Sequence, residues 1–239
     1  INTGAIYPYN VLRTSLSGDS ELANEQWKAL PNYLENSVER VLPVCDTSGS
    51  MLTDIGGNTT AIEVCISLGL YISDRNEGPF KNAFVTFSEE PKIQYLTGDL
   101  QSRISQISDS DWGFSTNLEA TFEHILNQSI KHNVKVDEMP TSILIMSDME
   151  FNQATTVNQT AMQMIKNKYE ESGYTIPKIV FWNLASRGNN FPIQSTEDNT
   201  SLISGFSPSI LKSVLSGNNS NPIELMLEVI DSERYSQIS

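Results

Sequence analysis

Asp46, Ser48 and Ser50 stand at alternate positions directly after the apolar stretch Val41-Leu42-Pro43-Val44-Cys45. A strand ending in D-x-S-x-S delivers one carboxylate and two hydroxyls to a single point at the edge of a sheet. Such an all-oxygen, low-charge set is what a hard divalent cation such as Mg²⁺ accepts. Two later segments offer matching donors. Gly113-Phe114-Ser115-Thr116-Asn117 opens a helical pattern and brings the hydroxyl of Thr116, and Ile143-Leu144-Ile145-Met146-Ser147-Asp148 is a second apolar run that ends in a carboxylate. The bland alternative is a turn that Asp46 starts and the serines cap. Three matching segments on separate strand ends favour the cation. Glu150 is either an accessory carboxylate near the same point or the start of a turn over residues 152–156, and the turn is the simpler reading.

These donors need a scaffold, and the pattern from Val41 onward supplies one. Strand-like and helix-like segments alternate, as they do in a mostly parallel sheet with helices on both faces. Strands are expected at residues 41–45, 83–87, 142–147 and 179–184, with an edge strand at 200–204. Residues 92–96 read as an antiparallel edge neighbour of 83–87. Helices are expected from Thr60, where Thr60-Ala61-Ile62-Glu63 matches a capping box, and over residues 118–130, 156–172 with Gly173 as its stop, from Ser207-Pro208, and over 222–235. Pro43 conflicts with a central strand, because it cannot donate to the ladder. Either pairing is bulged there, or regular pairing begins only after it. The fold class is therefore α/β: a Rossmann-like, doubly wound, mostly parallel sheet with one antiparallel edge strand. Residues 1–40 form a lead-in in which Ile6-Tyr7-Pro8-Tyr9-Asn10 breaks structure and 21–33 reads as a helix. Residues 41–217 form the main domain, and 218–239 a C-terminal helix packed on it.

Composition narrows the function. The chain has 239 residues and a net charge of −14, which disfavours a general binder of nucleic-acid backbone, since phosphate affinity rests on clustered Lys and Arg. Cys45 and Cys65 fall at core positions and read as small hydrophobes rather than a disulfide, which favours a reducing compartment. The N-x-S/T triplets at Asn58, Asn127, Asn158, Asn199 and Asn218 are chance in an Asn-rich chain. No signal peptide or membrane-length apolar run is present. The first residue is Ile rather than Met, which points to a piece of a longer protein. His124 and His132 have no partners at metal spacing and read as non-ligands. Trp112, Tyr169, Tyr174 and Trp182 read as packing, and Asp54 as loop surface.

In this order and spacing, D-x-S-x-S…T…D resembles the metal-ion-dependent adhesion site (MIDAS) of von Willebrand factor type A domains, over residues 41–217. In that family's geometry Ser48 and Ser50 bind the metal directly and Thr116 joins them in the ligand-competent state. Asp46 and Asp148 act mostly through water. A narrower likeness rests on Val44-Cys45-Asp46-Thr47-Ser48-Gly49-Ser50-Met51, Asp111-Trp112-Gly113, Ser147-Asp148-Met149-Glu150-Phe151, Ile179-Val180-Phe181-Trp182-Asn183-Leu184 and Ser204-Gly205-Phe206-Ser207. These resemble an intracellular family, a domain of unknown function found in plants, fungi and large DNA viruses. Its layout is similar to that of the Ro ribonucleoprotein (TROVE) family, in which a helical-repeat ring precedes a von Willebrand A domain. The resemblance implies a metal-dependent protein-binding module of a larger cytoplasmic protein, taking a partner's carboxylate through Mg²⁺ or Mn²⁺. The alternative it implies is a Ro-like ribonucleoprotein component whose RNA affinity comes from an upstream helical region. A Mg²⁺-dependent hydrolase of the haloacid dehalogenase kind is disfavoured, because the acid–base carboxylate expected two residues after Asp46 is Ser48. The chain is read as not an enzyme.

Overall fold

The structure is a computed structural model and describes residues 6–35, 37–86, 91–110, 118–149, 159–185, 200–205 and 208–215. Two short helices come first, α1 (Pro8–Leu16) and α2 (Ser20–Ala29). The stretch around Pro8 starts a helix rather than breaking structure. Pro8 takes the first helical position, where its missing N–H is no loss, and the Asn10 side chain accepts from the Tyr7 N–H at 3.0 Å. The helix expected over 21–33 ends at Ala29, because Leu30 precedes Pro31 and takes an extended conformation.

Next come β1 (Val41–Cys45), a hairpin of β2 (Asp54–Gly56) and β3 (Thr59–Thr60), and α3 (Ala61–Arg75). β4 (Ala83–Thr86), β5 (Ile93–Tyr95), α4 (Leu100–Ser108) and α5 (Leu118–Lys131) follow. The chain continues through β6 (Ser142–Ser147), α6 (Gln159–Glu171), β7 (Lys178–Asn183), β8 (Thr200–Ser204) and α7 (Pro208–Leu215). The expected segment 218–239 lies outside the described residues, as do Phe87 and 156–158. The hairpin and α4 were not expected. The hairpin turns on Gly56, Gly57 and Asn58, all at positive φ, where glycine and asparagine are cheapest. In α4, Asp99 caps the Ser102 N–H at 2.9 Å, and Leu100, Ile104 and Ile107 are buried.

The sheet order is β5-β4-β1-β6-β7-β8, with β5 antiparallel to β4 and all other pairs parallel. Period-two alternation sends each strand's side chains to two separate cores. Leu42, Val44, Ile143, Ile145, Ile179 and Phe181 pack with α5 and α6. Cys45, Leu144, Met146, Val180 and Trp182 pack with α3, α4, α7 and the two leading helices. This is the doubly wound arrangement expected from the sequence.

Pro43 finds its place through pairing on one side only. β1 pairs β6 regularly from Val41↔Ser142 to Cys45↔Met146, but pairs β4 only from Val44↔Val85. The Asp46 N–H donates to Met146 O, so the even residues of β1 address β6 and the odd ones address β4. Pro43 therefore turns its missing donor toward β4, one residue before that ladder begins.

α3 is buried along nearly its whole length, including both flanks. A helix apolar all round must be covered all round. One side lies so close to β1 that a Cβ on Gly69 would sit 2.5 Å from Cys45 Sγ. The other side is covered by α1 and α2, whose Val11, Leu12, Ala23 and Trp27 share its cluster. Polar ties fix that cover. The Arg13 guanidinium bonds both oxygens of Glu63 (3.2 and 3.0 Å) and the Asn58 carbonyl in the hairpin. Glu63 also completes the expected capping box with Thr60. The Trp27 Nε1–H donates to Asp74 at 3.0 Å.

Candidate functional site

The chain runs out from β1 to β4 on one side and returns to β6 on the other, so the strand order reverses at β1. The crevice outside the carboxyl ends of β1 and β6 is thus the switch point where α/β sheets bind ligands. Asp46 lies there, one residue past β1, and Asp148 one residue past β6.

Asp46 is 3 % exposed. Its Oδ1 accepts from the Ser48 N–H at 2.9 Å, and its Oδ2 from the Ser147 hydroxyl at 2.6 Å. After Ser48 the chain enters a 3-10 turn, Gly49–Leu52, which folds Ser50 back so that Ser48 Oγ and Ser50 Oγ lie 3.0 Å apart. Asp148 is 5 % exposed, and its backbone N–H meets Met51 Sδ at 3.1 Å. Burial pushes the Asp46 carboxyl up from the usual range; the Ser147 and Ser48 donors work against that rise, and the Asp148 charge adds to it. Asp46 has thus been withdrawn from water into a place where burial and a neighbouring carboxylate both disfavour its charge. A cation beside Asp46 would relieve both effects.

Asp46, Ser48 and Ser50 thus converge in one loop, and Asp148 lies near enough for its charge to act on Asp46. Thr116 and Glu150 lie outside the described residues, as does Trp112. Among the described residues no three His, Cys, Asp or Glu side chains form a metal-holding group, so a cation here depends on hydroxyl oxygens. That donor set fits Mg²⁺ or Mn²⁺ and does not suit a soft metal.

Other expectations are settled by position. Cys45 and Cys65 are both buried and free. His124 Nε2 accepts from the Ile93 N–H at 3.3 Å on the edge strand, and burial followed by the nearby Lys92 charge lowers its pKa. Tyr169 and Trp182 are fully buried, with their polar tips on the carbonyls of Phe122 and Gly205. Tyr174 packs half-buried and donates to Val134 O at 2.7 Å. Asp54 is exposed as expected, but it opens strand β2 and pairs with Thr60 rather than lying in a loop.

Sequence reasoning missed Ser147 and Met51. Each acts on a residue about a hundred positions away, so no local spacing announces it. The one usable signal was register: extending the β1–β6 pairing past Cys45↔Met146 sets Asp46 opposite Ser147.

The comparisons agree with this architecture. A family model described as a domain of unknown function, DUF7788, matches residues 40–237. The chain belongs to that family. It is also 31 % identical over 238 residues to the uncharacterized protein L728 of Acanthamoeba polyphaga mimivirus, covering 97 % of this chain and 41 % of the viral one. Among solved structures it is similar to the Deinococcus radiodurans Ro (RSR) protein, with a TM-score of 0.57 and 16 % identity. That likeness covers 90 % of this chain and 45 % of that one. At this identity the likeness is one of fold, and the fold is of the von Willebrand A type. The chain thus spans about two fifths of the viral relative and less than half of the Ro protein. Among the described residues no helix is long and apolar enough to cross a membrane.

Proposed function

We propose that this chain is a metal-ion-dependent protein-binding module of a larger intracellular protein. Asp46, Ser48, Ser50 and Asp148, with Thr116, would hold one Mg²⁺ or Mn²⁺ at the carboxyl edge of β1 and β6. Bound there by mostly neutral hydroxyls, the ion would supply an electron-poor centre able to accept a carboxylate oxygen from a partner.

The observation that carries this reading is the pair of nearly buried acids, Asp46 and Asp148, beside two hydroxyls that converge to 3.0 Å. Removing carboxylates from water is costly without a compensating cation, and the described donors to Asp46 are neutral ones. The chain's own residues do the orienting: the Ser48 N–H turns Asp46 toward the loop, and the 3-10 turn presents Ser50. The surrounding charge of −14 repels an acidic partner, so docking would depend on the site. Binding is favoured over hydrolysis because Ser48 stands where an acid–base carboxylate would be needed. The two unpaired thiols favour the intracellular part of the reading.

A calorimetric Mn²⁺ titration tests it. The chain should take up one equivalent, and the Asp46→Ala/Ser48→Ala double variant should take up none. Equal uptake by the two refutes the site. A partner captured in Mg²⁺ should then be released by EDTA, and equal affinity in both media refutes the binding role.

A further inference from the structure

We propose that Ser147, which stands outside the D-x-S-x-S…T…D pattern, is the positioning residue of the cation site: its hydroxyl fixes the orientation of the Asp46 carboxylate. The inference rests on the metal-site reading above and extends it to a residue that reading does not use.

Ser147 is completely buried at the end of β6, between β1 and β7, where an apolar side chain would ordinarily serve. Its backbone carbonyl is engaged independently by the Leu184 N–H at 2.9 Å, so the hydroxyl is not needed to complete the strand. That hydroxyl has one proton and two lone pairs. The Met149 N–H occupies its acceptor side at 2.9 Å. The proton goes to Asp46 Oδ2 at 2.6 Å, the short separation of a charge-assisted bond. Its direction is therefore set by two fixed partners rather than by chance rotation.

Met149 explains why the arrangement holds. It sits at φ +62, a left-handed conformation uncommon for a residue other than glycine and found where surrounding structure enforces it. Its side chain is anchored in the core shared with α5 and α6, which holds in place the residue whose N–H reaches back to Ser147. Asp46 is then gripped from two segments. Ser147 on β6 holds Oδ2 and the Ser48 N–H holds Oδ1, so the carboxylate cannot turn freely. Partners of this kind, one layer behind a metal's surroundings, typically change affinity by about 10- to 100-fold when removed.

The test is Mn²⁺ affinity, by calorimetry on the full chain, for wild type, Ser147→Ala, Ser147→Thr and Ser129→Ala. Ser129 is a similarly buried serine on α5 whose hydroxyl donates within its own helix, to Ile125 O, and so controls for loss of stability alone. Ser147→Ala should bind about tenfold more weakly or worse. Ser147→Thr, which keeps the hydroxyl, should recover most of the affinity, and Ser129→Ala should match wild type even if it melts earlier. If Ser147→Ala does not fold, Ser147→Cys replaces it, because a thiol of similar size is a poor donor and should show the same loss. Wild-type affinity in Ser147→Ala or Ser147→Cys overturns the inference while leaving the metal site standing. A wild type that takes up no Mn²⁺ overturns both.

Discussion

Adding one methyl group at position 69 should change sign in its effect on stability according to what stands at position 45. Built on Gly69, a Cβ meets Cys45 Sγ at 2.5 Å, inside any tolerable contact. Neither side can withdraw easily, because β1 is paired on both edges and α3 is held from outside by the leading helices. Overpacking of this kind costs about 1–3 kcal/mol. Replacing a helix-interior glycine with alanine returns about 1 kcal/mol, so Gly69→Ala should be destabilising by about 0–2 kcal/mol on balance. For a chain of this size each kcal/mol moves the midpoint by about 2–4 °C. With Cys45→Ala the sulfur is gone and the next neighbour, Met146 Cε, lies at 3.9 Å, an ordinary contact. Only the helix term remains, and Gly69→Ala should then stabilise by about 1 kcal/mol. Urea melts of the four proteins give a coupling of about 1–3 kcal/mol. A coupling near zero would mean that α3 and β1 are not in contact at this point, and the packing described here would be wrong.

Two further outcomes follow from buried and paired groups. Burial by itself would raise the Glu63 carboxyl, but bonds from Arg13 and from the Thr60 amide and hydroxyl outweigh it and hold it below the usual range. A folded value below the unfolded one adds stability at neutral pH that is lost as pH falls through the folded value. Arg13→Gln should cost about 0.5–1 kcal/mol at pH 7, a figure kept small because the pair is partly solvated, and much less at a pH of about 2.5; an equal cost at both would remove the ion pair as the cause. Burial also pushes the Cys65 thiol well up, and Cys45 is equally enclosed. Both should react with a bulky disulfide reagent only in step with unfolding in urea, and rapid labelling of the native chain would contradict the core placement.

How much could be read in advance depended on how local the cause was. β1, β4, β6 and β7 announced themselves as short apolar runs, and α3 and α5 through capping and helical spacing, because those signals lie within a dozen residues. α4 was missed although Asp99, Leu100, Ile104 and Ile107 carried the same kind of signal; the turn-rich Thr97-Gly98-Asp99 stretch before it reads as loop. Pro8 was misread because proline breaks a helix interior and also starts a helix, and only its neighbours Tyr7 and Asn10 decide between the two. Pro43 could not be resolved from sequence, since its tolerance depends on which neighbouring strand begins later. At the site, the spacing of Asp46, Ser48 and Ser50 placed the donors, while Ser147 and Met51 emerged only from contacts between distant strand ends.

The near-total enclosure of α3 bears on how the chain can be made. Residues 8–29 leave the ribosome before α3 does, and their apolar faces have no other described cluster to enter. As soon as residues 61–75 emerge, the two leading helices can close over the outer flank of α3. Its inner flank needs a finished sheet, and β1 is paired along its full length only by β6. Synthesis at about 5–20 residues per second leaves several seconds between α3 and β6. During that interval the lead-in is the cover already to hand, so a segment outside the family match can shield the apolar flank of α3 while the sheet is still being delivered.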